Sequence, residues 1–295
     1  MYSMIIIFLG YLLKRMKILK ESDGDGIARV IFNLTLPALV VVTFHDFVMD
    51  YSLLLLVAAA ALYGVFSAFL GLAVFRNEER RSRGMLVMMM PGFNIGLFAF
   101  PLVEGMWGRE GLQHFAMFDV GNAFIVFGVC YFIGSYFAGK ETQIKTSTLA
   151  LKMGRSIPFV TYIAVLFLSL LGLQLPGFVT DTAGIISLAN MPLSLLLLGI
   201  YLNFSFEKKY IRQILKYLFA KYSAGILIGT ILFMFLPVDD MMKFTLLIGL
   251  ILPTSLSVLP YAVEFDYDRR FVGTVSNFTI IISFLLIWLI ANFLI

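Results

Sequence analysis

The chain has 295 residues, of which 60% are hydrophobic and 14% are charged, with a formal net charge of +4. Soluble domains carry about 25% charged residues, so this composition excludes an ordinary globular protein and predicts a protein whose solvent is lipid. In such a protein the positive charge does not indicate an acidic partner such as nucleic acid. The informative quantity is the number of lysine and arginine residues in each connection between spans.

Ten apolar runs follow one another along the chain and predict ten membrane spans. We place them near residues 2–13, 27–44, 52–75, 85–104, 112–138, 157–175, 183–204, 214–236, 242–264 and 271–295. The first run has its positive charges after the apolar residues and no small-residue cleavage site, so we do not expect a secretory signal. At about 13 apolar residues it is shorter than the about 20 that a span needs. It is either a tilted or incomplete helix, or the end of a segment that begins further upstream.

Lysine and arginine are concentrated in alternate connections. Of the 22 such residues, all but Arg109 and Lys243 fall in the odd-numbered connections, with Lys221 counted in the seventh. The positive-inside rule therefore places those connections in the cytoplasm and both termini outside it. We expect a multi-pass protein of the cell membrane, with no lysine or arginine in the central region of any span.

The two halves of the chain resemble each other. Corresponding segments are NLTLPALVVVTF and LANMPLSLLLLG, NIGLFAFP and PTSLSVLP, and VGNAFIVF and VSNFTIII. Each half has five spans, so the second copy begins on the opposite side of the membrane. The prediction is an all-α membrane protein with ten transmembrane helices in two inverted five-helix repeats. Residues 1–138 form the first repeat, 139–156 a cytoplasmic linker and 157–295 the second repeat.

Helix-breaking residues interrupt spans four and nine. Proline removes a backbone donor, and an unsatisfied backbone group costs several kcal/mol in hydrocarbon. We therefore expect broken helices that line a cavity and cross near the midplane of the membrane. The free N–H groups and dipoles of the helix ends bind anions, and nearby amide and hydroxyl groups add neutral donors. The predicted substrate-binding residues are Pro91, Asn94, Gly96, Pro101, Pro253, Thr254, Ser255, Ser257 and Pro260.

Asp119 is an ionisable group inside span five, which makes it a functional candidate. Asn122 lies three residues later on the same helix face, and Asn277 is its counterpart in the second half. Asp119 could support the broken backbone of span four, couple transport to protons, or bind a cation. These alternatives stay open, and no cofactor is expected beyond a possible coupling proton or sodium ion.

Signals of an enzyme or a metal site are missing from the sequence. His45 and His114 are isolated from other metal ligands, and Cys130, the single cysteine, excludes an internal disulfide. No phosphate-binding loop, nucleophile elbow or catalytic carboxylate pair is present. We therefore expect a protein that is not an enzyme and binds no metal.

Six motifs together resemble the auxin efflux carrier family, in its short prokaryotic form, from end to end. They are LGYLLKRMKIL, NLTLPAL, NIGLFAFPL, FDVGNAF, MPLSLLLLG and ILPTSLSVLPYAVEFDYD. The resemblance implies a scaffold of spans 1, 2, 6 and 7, which forms a homodimer, and a transport domain of spans 3–5 and 8–10 that moves like an elevator. It also implies an organic anion substrate, such as malonate, malate or auxin, at the helix crossover.

The leading hypothesis is a secondary transporter for a small organic anion, either a carboxylate or an auxin-like weak acid. The alternative is a gated channel or membrane sensor that uses the same broken helices. The expected partners are the anion, the lipid bilayer and a second copy of the chain, without nucleic acid.

Overall fold

The computed structural model describes residues 2–45, 50–139, 151, 154, 156–171, 173–202 and 210–294, and most of the predicted linker 139–156 lies outside them. The described residues form helices and no β-strand. The helices are α1 (Tyr2–Arg15), α2 (Glu21–Val30), α3 (Leu36–Phe44), α4 (Leu54–Val74), α5 (Arg80–Met89), α6 (Phe100–Phe124), α7 (Tyr131–Ala138), α8 (Ile157–Leu170), α9 (Gly177–Ser187), α10 (Asn190–Tyr201), α11 (Ile211–Phe235), α12 (Asp240–Gly249), α13 (Val258–Glu264) and α14 (Arg269–Phe293). Wider π-helical turns occupy Ile31–Thr35, Ile95–Ala99 and Ile125–Cys130.

Several helices have the length and composition of membrane spans. In the described part of the chain, six helical stretches are long and apolar enough to cross a membrane. They are Glu21–Phe44, Tyr51–Val74, Ile95–Ala138, Gly177–Tyr201, Ile211–Phe235 and Arg269–Phe293. The α4 helix has 21 residues, and at 1.5 Å per residue it spans about 32 Å, close to the hydrocarbon thickness of a bilayer. The predicted class, an all-helical membrane protein, is confirmed, whereas ten spans and an inverted repeat stay predictions.

The long stretch from Ile95 to Ala138 is divided at Gly108. This residue has φ 57° and ψ −136°, inside α6. A positive φ is accessible to glycine because it has no β-carbon. The stretch therefore consists of two helical parts that meet at Gly108, between the predicted spans four and five.

Large apolar side chains face outward on several helices. Leu62, Phe219 and Phe235 are 70%, 77% and 75% exposed. A soluble monomer rarely exposes extended apolar surface to water. This outward apolar surface is suited to contact with lipid.

The chain divides into two compact units, each drawn from both halves of the sequence. One unit comprises Met1–Ser52, Gly96–Ala116 and Ala150–Leu202, and the other comprises Leu53–Ile95, Met117–Leu149 and Asn203–Ile295. We call them the first and the second unit.

In the first unit, α1 and α10 cross with their backbones in contact. A β-carbon on Gly199 would overlap the carbonyl oxygen of Ile7, and one on Gly10 would overlap that of Leu196. Small residues at a crossing allow this close approach in membrane proteins. The crossing therefore depends on glycine at both positions.

Polar contacts complete the first unit. The Thr35 hydroxyl donates to Asn190 Oδ1 over 3.0 Å, with both side chains buried. The Arg109 guanidinium donates to the carbonyl oxygens of Val42, at 2.8 Å, and Thr43, at 3.3 Å, at the end of α3. The last carbonyls of a helix have no partner within it, so Arg109 satisfies the C-terminal end of α3.

In the second unit, contacts at the helix ends hold neighbouring elements together. The Tyr267 hydroxyl donates to the Gly134 carbonyl over 2.7 Å, and Arg81 forms a 2.5 Å ion pair with Asp266. Asp268 accepts from the backbone N–H of Phe271 at 3.1 Å and caps the start of α14. These contacts position α5, α7 and α14, which carry or flank the site described next.

Candidate functional site

Two helical paths in the second unit are interrupted, as the sequence predicts. The α5 helix ends at Met89 and helical structure resumes at Ile95. The α12 helix ends at Gly249 and α13 begins at Val258. Residues 90–94 and 250–257 are the two interruptions, and they lie where the sequence predicted helix breaks.

The two interruptions pair with each other. Phe93 and Thr254 form an isolated antiparallel bridge. Asn94 N–H donates to the Pro253 carbonyl over 2.9 Å, and Ser255 N–H donates to the Gly92 carbonyl over 3.1 Å. Each segment therefore provides hydrogen-bond partners for backbone groups of the other that have left the helical path. Irregular backbone inside a membrane requires such partners.

The Asn122 side chain holds the first interruption. Its Oδ1 accepts from Phe93 N–H at 2.9 Å, and its Nδ2 donates to the Phe93 carbonyl at 3.1 Å. The same Nδ2 donates to Asp119 Oδ1 at 3.0 Å. Asn122 is buried. Its amide connects the carboxylate of Asp119 to the broken backbone by hydrogen bonds.

The second interruption is held by residues that the sequence did not predict. Thr254 N–H donates to Thr279 Oγ1 over 3.2 Å, and the Thr254 hydroxyl lies 2.7 Å from that of Tyr217. The Tyr217 hydroxyl also donates to the Met89 carbonyl over 2.7 Å, so it joins the end of α5 to the second interruption. Thr279 lies only two residues after Asn277, and the repeat therefore indicated the correct region of α14 without the correct residue.

Gly92 permits the close pairing of the segments. A β-carbon at this position would lie 2.9 Å from Val126 Cγ2, and 3.3 Å from both Cys130 Sγ and Ser255 Cβ. Distances in this range require the neighbours to move. Glycine is therefore needed here for close packing, and Cys130 is a fully buried neighbour of the interruption.

Lys221 corrects one sequence-based expectation. We expected it in a cytoplasmic connection and expected no lysine in the central region of a span, and both expectations are wrong. It lies inside α11, which begins at Ile211, about 15 Å along the helix at 1.5 Å per residue. Only 2% of Lys221 is exposed. Its Nζ lies 3.4 Å from the Met90 carbonyl oxygen and 4.5 Å from the centre of the Phe93 ring.

The predicted site residues are distributed over both units. Gly96 and Pro101 belong to the first unit, where a β-carbon on Gly96 would lie 2.9 Å from Leu36 Cδ2. The second unit contains the others, and those of them buried there are Pro91, Asn94, Asn122, Pro253, Thr254, Ser255 and Asn277. Asp119 and Ser257 are partly buried, and Pro260 is exposed in the first turn of α13.

The side-chain amide of Asn94 is an unsatisfied donor among the described residues. Asn94 Nδ2 is buried and meets no hydrogen-bond acceptor within the part of the chain that the structure describes. Asn94 is the last residue of the first interruption, directly before helical structure resumes at Ile95. The amide of Asn94 thus presents a hydrogen-bond donor that an acceptor from outside the chain can satisfy.

Comparison with known proteins gives consistent matches. The family described as membrane transport protein matches residues 3–158. The chain is 22% identical over 308 residues to an uncharacterized transporter of Methanocaldococcus jannaschii, covering 98% of this chain and 97% of that relative. It is 24% identical over 211 residues to an uncharacterized transporter of Methanothermobacter thermautotrophicus, covering 69% of this chain and 67% of that relative.

Proposed function

Because the chain belongs to the auxin efflux carrier-like family of membrane transport proteins, we propose that it is a secondary transporter for a small organic anion. The substrate is a carboxylate or an auxin-like weak acid. The observation that carries this proposal is the buried, unpartnered amide of Asn94 at the paired interruptions.

The chemistry of this amide favours an anion. Asn94 Nδ2 is a hydrogen-bond donor with only 5% of the side chain exposed. A buried donor without an acceptor costs about 1–3 kcal/mol, which binding of an acceptor recovers. A carboxylate supplies two acceptor oxygens and a full negative charge.

The mode of movement is part of the proposal. The bridge between Phe93 and Thr254 and the bonds from Asn122 and Tyr217 are all contained in the second unit. That unit can therefore move with its interruptions paired, as elevator-type alternating access requires. Two expectations from the sequence are part of the proposal. The family resemblance predicts a homodimer through the scaffold, and the charge distribution predicts extracytoplasmic termini.

Transport by Asn94→Ala in proteoliposomes tests the function. Uptake of radiolabelled malonate, malate and an auxin is measured for the wild type, the variant and Asn292→Ala. Asn292 is an exposed asparagine whose Nδ2 donates within its own helix over 2.7 Å. A hydrogen bond to a charged group contributes about 1.5–3 kcal/mol, so we expect a loss of affinity of about 10- to 100-fold in Asn94→Ala.

The control variant should transport like the wild type. Equal transport by Asn94→Ala and the wild type would contradict the proposed site. Flux that rises with anion concentration without saturating would instead indicate the channel alternative.

A further inference from the structure

The ammonium group of Lys221 lies at the end of a broken helix. Lys221 and Tyr217 are four residues apart in α11 and therefore share a face. Tyr217 donates to the carbonyl of Met89, and Lys221 lies 3.4 Å from that of Met90. From α4, the Ser67 hydroxyl also donates to the Met90 carbonyl, at 3.1 Å. Three donors from two helices thus enclose the C-terminal end of α5.

The partners of Lys221 carry partial negative charge only. The last carbonyls of a helix together bear about half a negative charge, and the face of an aromatic ring attracts a cation at distances within about 6 Å. Lys221 Nζ is 4.5 Å from the centre of the Phe93 ring. Among the described residues no carboxylate lies within ion-pair distance of it. The lysine is therefore buried without a carboxylate partner in the part of the chain that the structure describes.

The other interruption also contains a carbonyl that accepts from a side chain, and there the donor is neutral. Past the end of α12, the Ile251 carbonyl accepts from the Ser283 hydroxyl at 2.6 Å, and the Tyr222 hydroxyl lies 2.8 Å from that of Ser283. Hydroxyls thus suffice to satisfy such a carbonyl. Burying a charge is far more costly than burying a hydroxyl, so the charge of Lys221 needs a reason other than satisfying Met90.

Unwound carbonyls and the C-terminal ends of half-helices are where many secondary transporters bind a coupling cation. We propose that Lys221 is a tethered cation, and that its ammonium group occupies the position at the end of α5 that a sodium ion occupies in such transporters. The protein then needs no sodium at this position, and anion movement is independent of a sodium gradient. This last consequence rests on the proposed function, whereas the placement of the cation does not.

Thermal unfolding in different salts tests the tethered cation without any anion substrate. The melting temperature of the purified protein is measured in sodium, lithium, potassium and choline chloride at equal ionic strength. The wild type should melt at one temperature in all four salts. Lys221→Ala and Lys221→Met should melt lower in choline and recover by about 3 °C or more, saturably, in sodium or lithium, because a metal ion then fills the vacated position.

Two further variants serve as controls. Lys221→Arg keeps the charge and should show no dependence on the cation. Lys216→Ala removes a lysine from the same helix whose Nζ lies 3.8 Å from Glu78 and whose side chain is 38% exposed. It should show no cation-specific recovery.

Three outcomes would overturn the proposal. The first is a wild type that sodium selectively stabilises, because the position would then still be open to a metal ion. The second is equal destabilisation of both neutral variants in every salt, or failure to obtain them folded in any salt. The third is loss of carboxylate binding in Lys221→Met without any response to cations, which would make Lys221 the counter-ion of the substrate. Since the salt measurement uses no anion, its failure is distinguishable from failure of the Asn94→Ala transport test.

Discussion

Asn122 holds Phe93 by both of its backbone groups, accepting from the N–H at 2.9 Å and donating to the carbonyl at 3.1 Å. Phe93 lies where the helical path is interrupted, so neither group has a helical partner. One side-chain amide from a position 29 residues later replaces both hydrogen bonds. The interruption is therefore a fixed element of the structure, and several consequences can be measured.

Replacing Asn122 by alanine should destabilise the protein strongly. The substitution leaves the N–H and the carbonyl of Phe93 without their side-chain partner, at about 1–3 kcal/mol for each unsatisfied buried group. The free energy of unfolding, measured by denaturant titration in detergent micelles, should fall by about 2–6 kcal/mol. Asn292→Ala, at an exposed site, should change it by less than about 0.5 kcal/mol. Equal values for the two variants would show that the amide of Asn122 does not support the interruption.

A methyl group at position 92 should disturb the pairing of the two interruptions. In Gly92→Ala the new β-carbon would lie 2.9 Å from Val126 Cγ2, and overpacking of this kind costs about 1–3 kcal/mol. We expect a lower melting temperature together with reduced anion uptake. Gly128→Ala is the matched control, because nothing lies within 4 Å of a β-carbon built there. Normal stability and uptake in Gly92→Ala would mean that the segments can separate without consequence.

The crossing of α1 and α10 should be equally sensitive to a small addition. Gly199→Ala places a β-carbon against the carbonyl of Ile7, so the two helices must move apart. The melting temperature should fall, while Gly184→Ala, which meets no neighbour within 4 Å, should leave it unchanged or higher because alanine favours helix by up to about 1 kcal/mol. Identical melting curves for both variants would contradict this packing.

Asp119→Asn distinguishes support of the backbone from ion coupling. Asp119 Oδ1 accepts from Asn122 Nδ2 at 3.0 Å, and an asparagine oxygen can accept the same bond. If the carboxylate orients Asn122, Asp119→Asn should keep anion uptake and its response to an imposed pH gradient. Asp119→Ala, which removes the acceptor, should lose about 1–3 kcal/mol of stability. Uptake by Asp119→Asn that no longer responds to the pH gradient would instead assign the carboxylate to coupling.

Much of the architecture follows from local sequence signals. Low charge and long apolar runs indicated a membrane protein, and proline and glycine in LVMMMPGFNIG and LPTSLSVLP located both interruptions. Asn122 was identified because it shares a helix face with Asp119. These inferences succeeded because each depends on residues that are close together in the chain.

Other features of the site gave no such signal. Tyr217 lies 128 residues from Met89, which it contacts, and Lys221 lies 131 residues from Met90. Lys221 was assigned to a connection because basic residues precede it closely, at Arg212 and Lys216. Periodicity shows which face of α11 a residue occupies, but it does not show which element that face meets.

The sequence by itself determined that the chain is a helical membrane protein and that two of its helical paths are interrupted. Apolar composition and the missing backbone donor of proline have these effects independently of tertiary packing. The tertiary structure alone decided which groups satisfy the broken backbone and that a lysine is among them. Those hydrogen bonds join residues far apart in the chain, and their geometry exists only once the helices have packed.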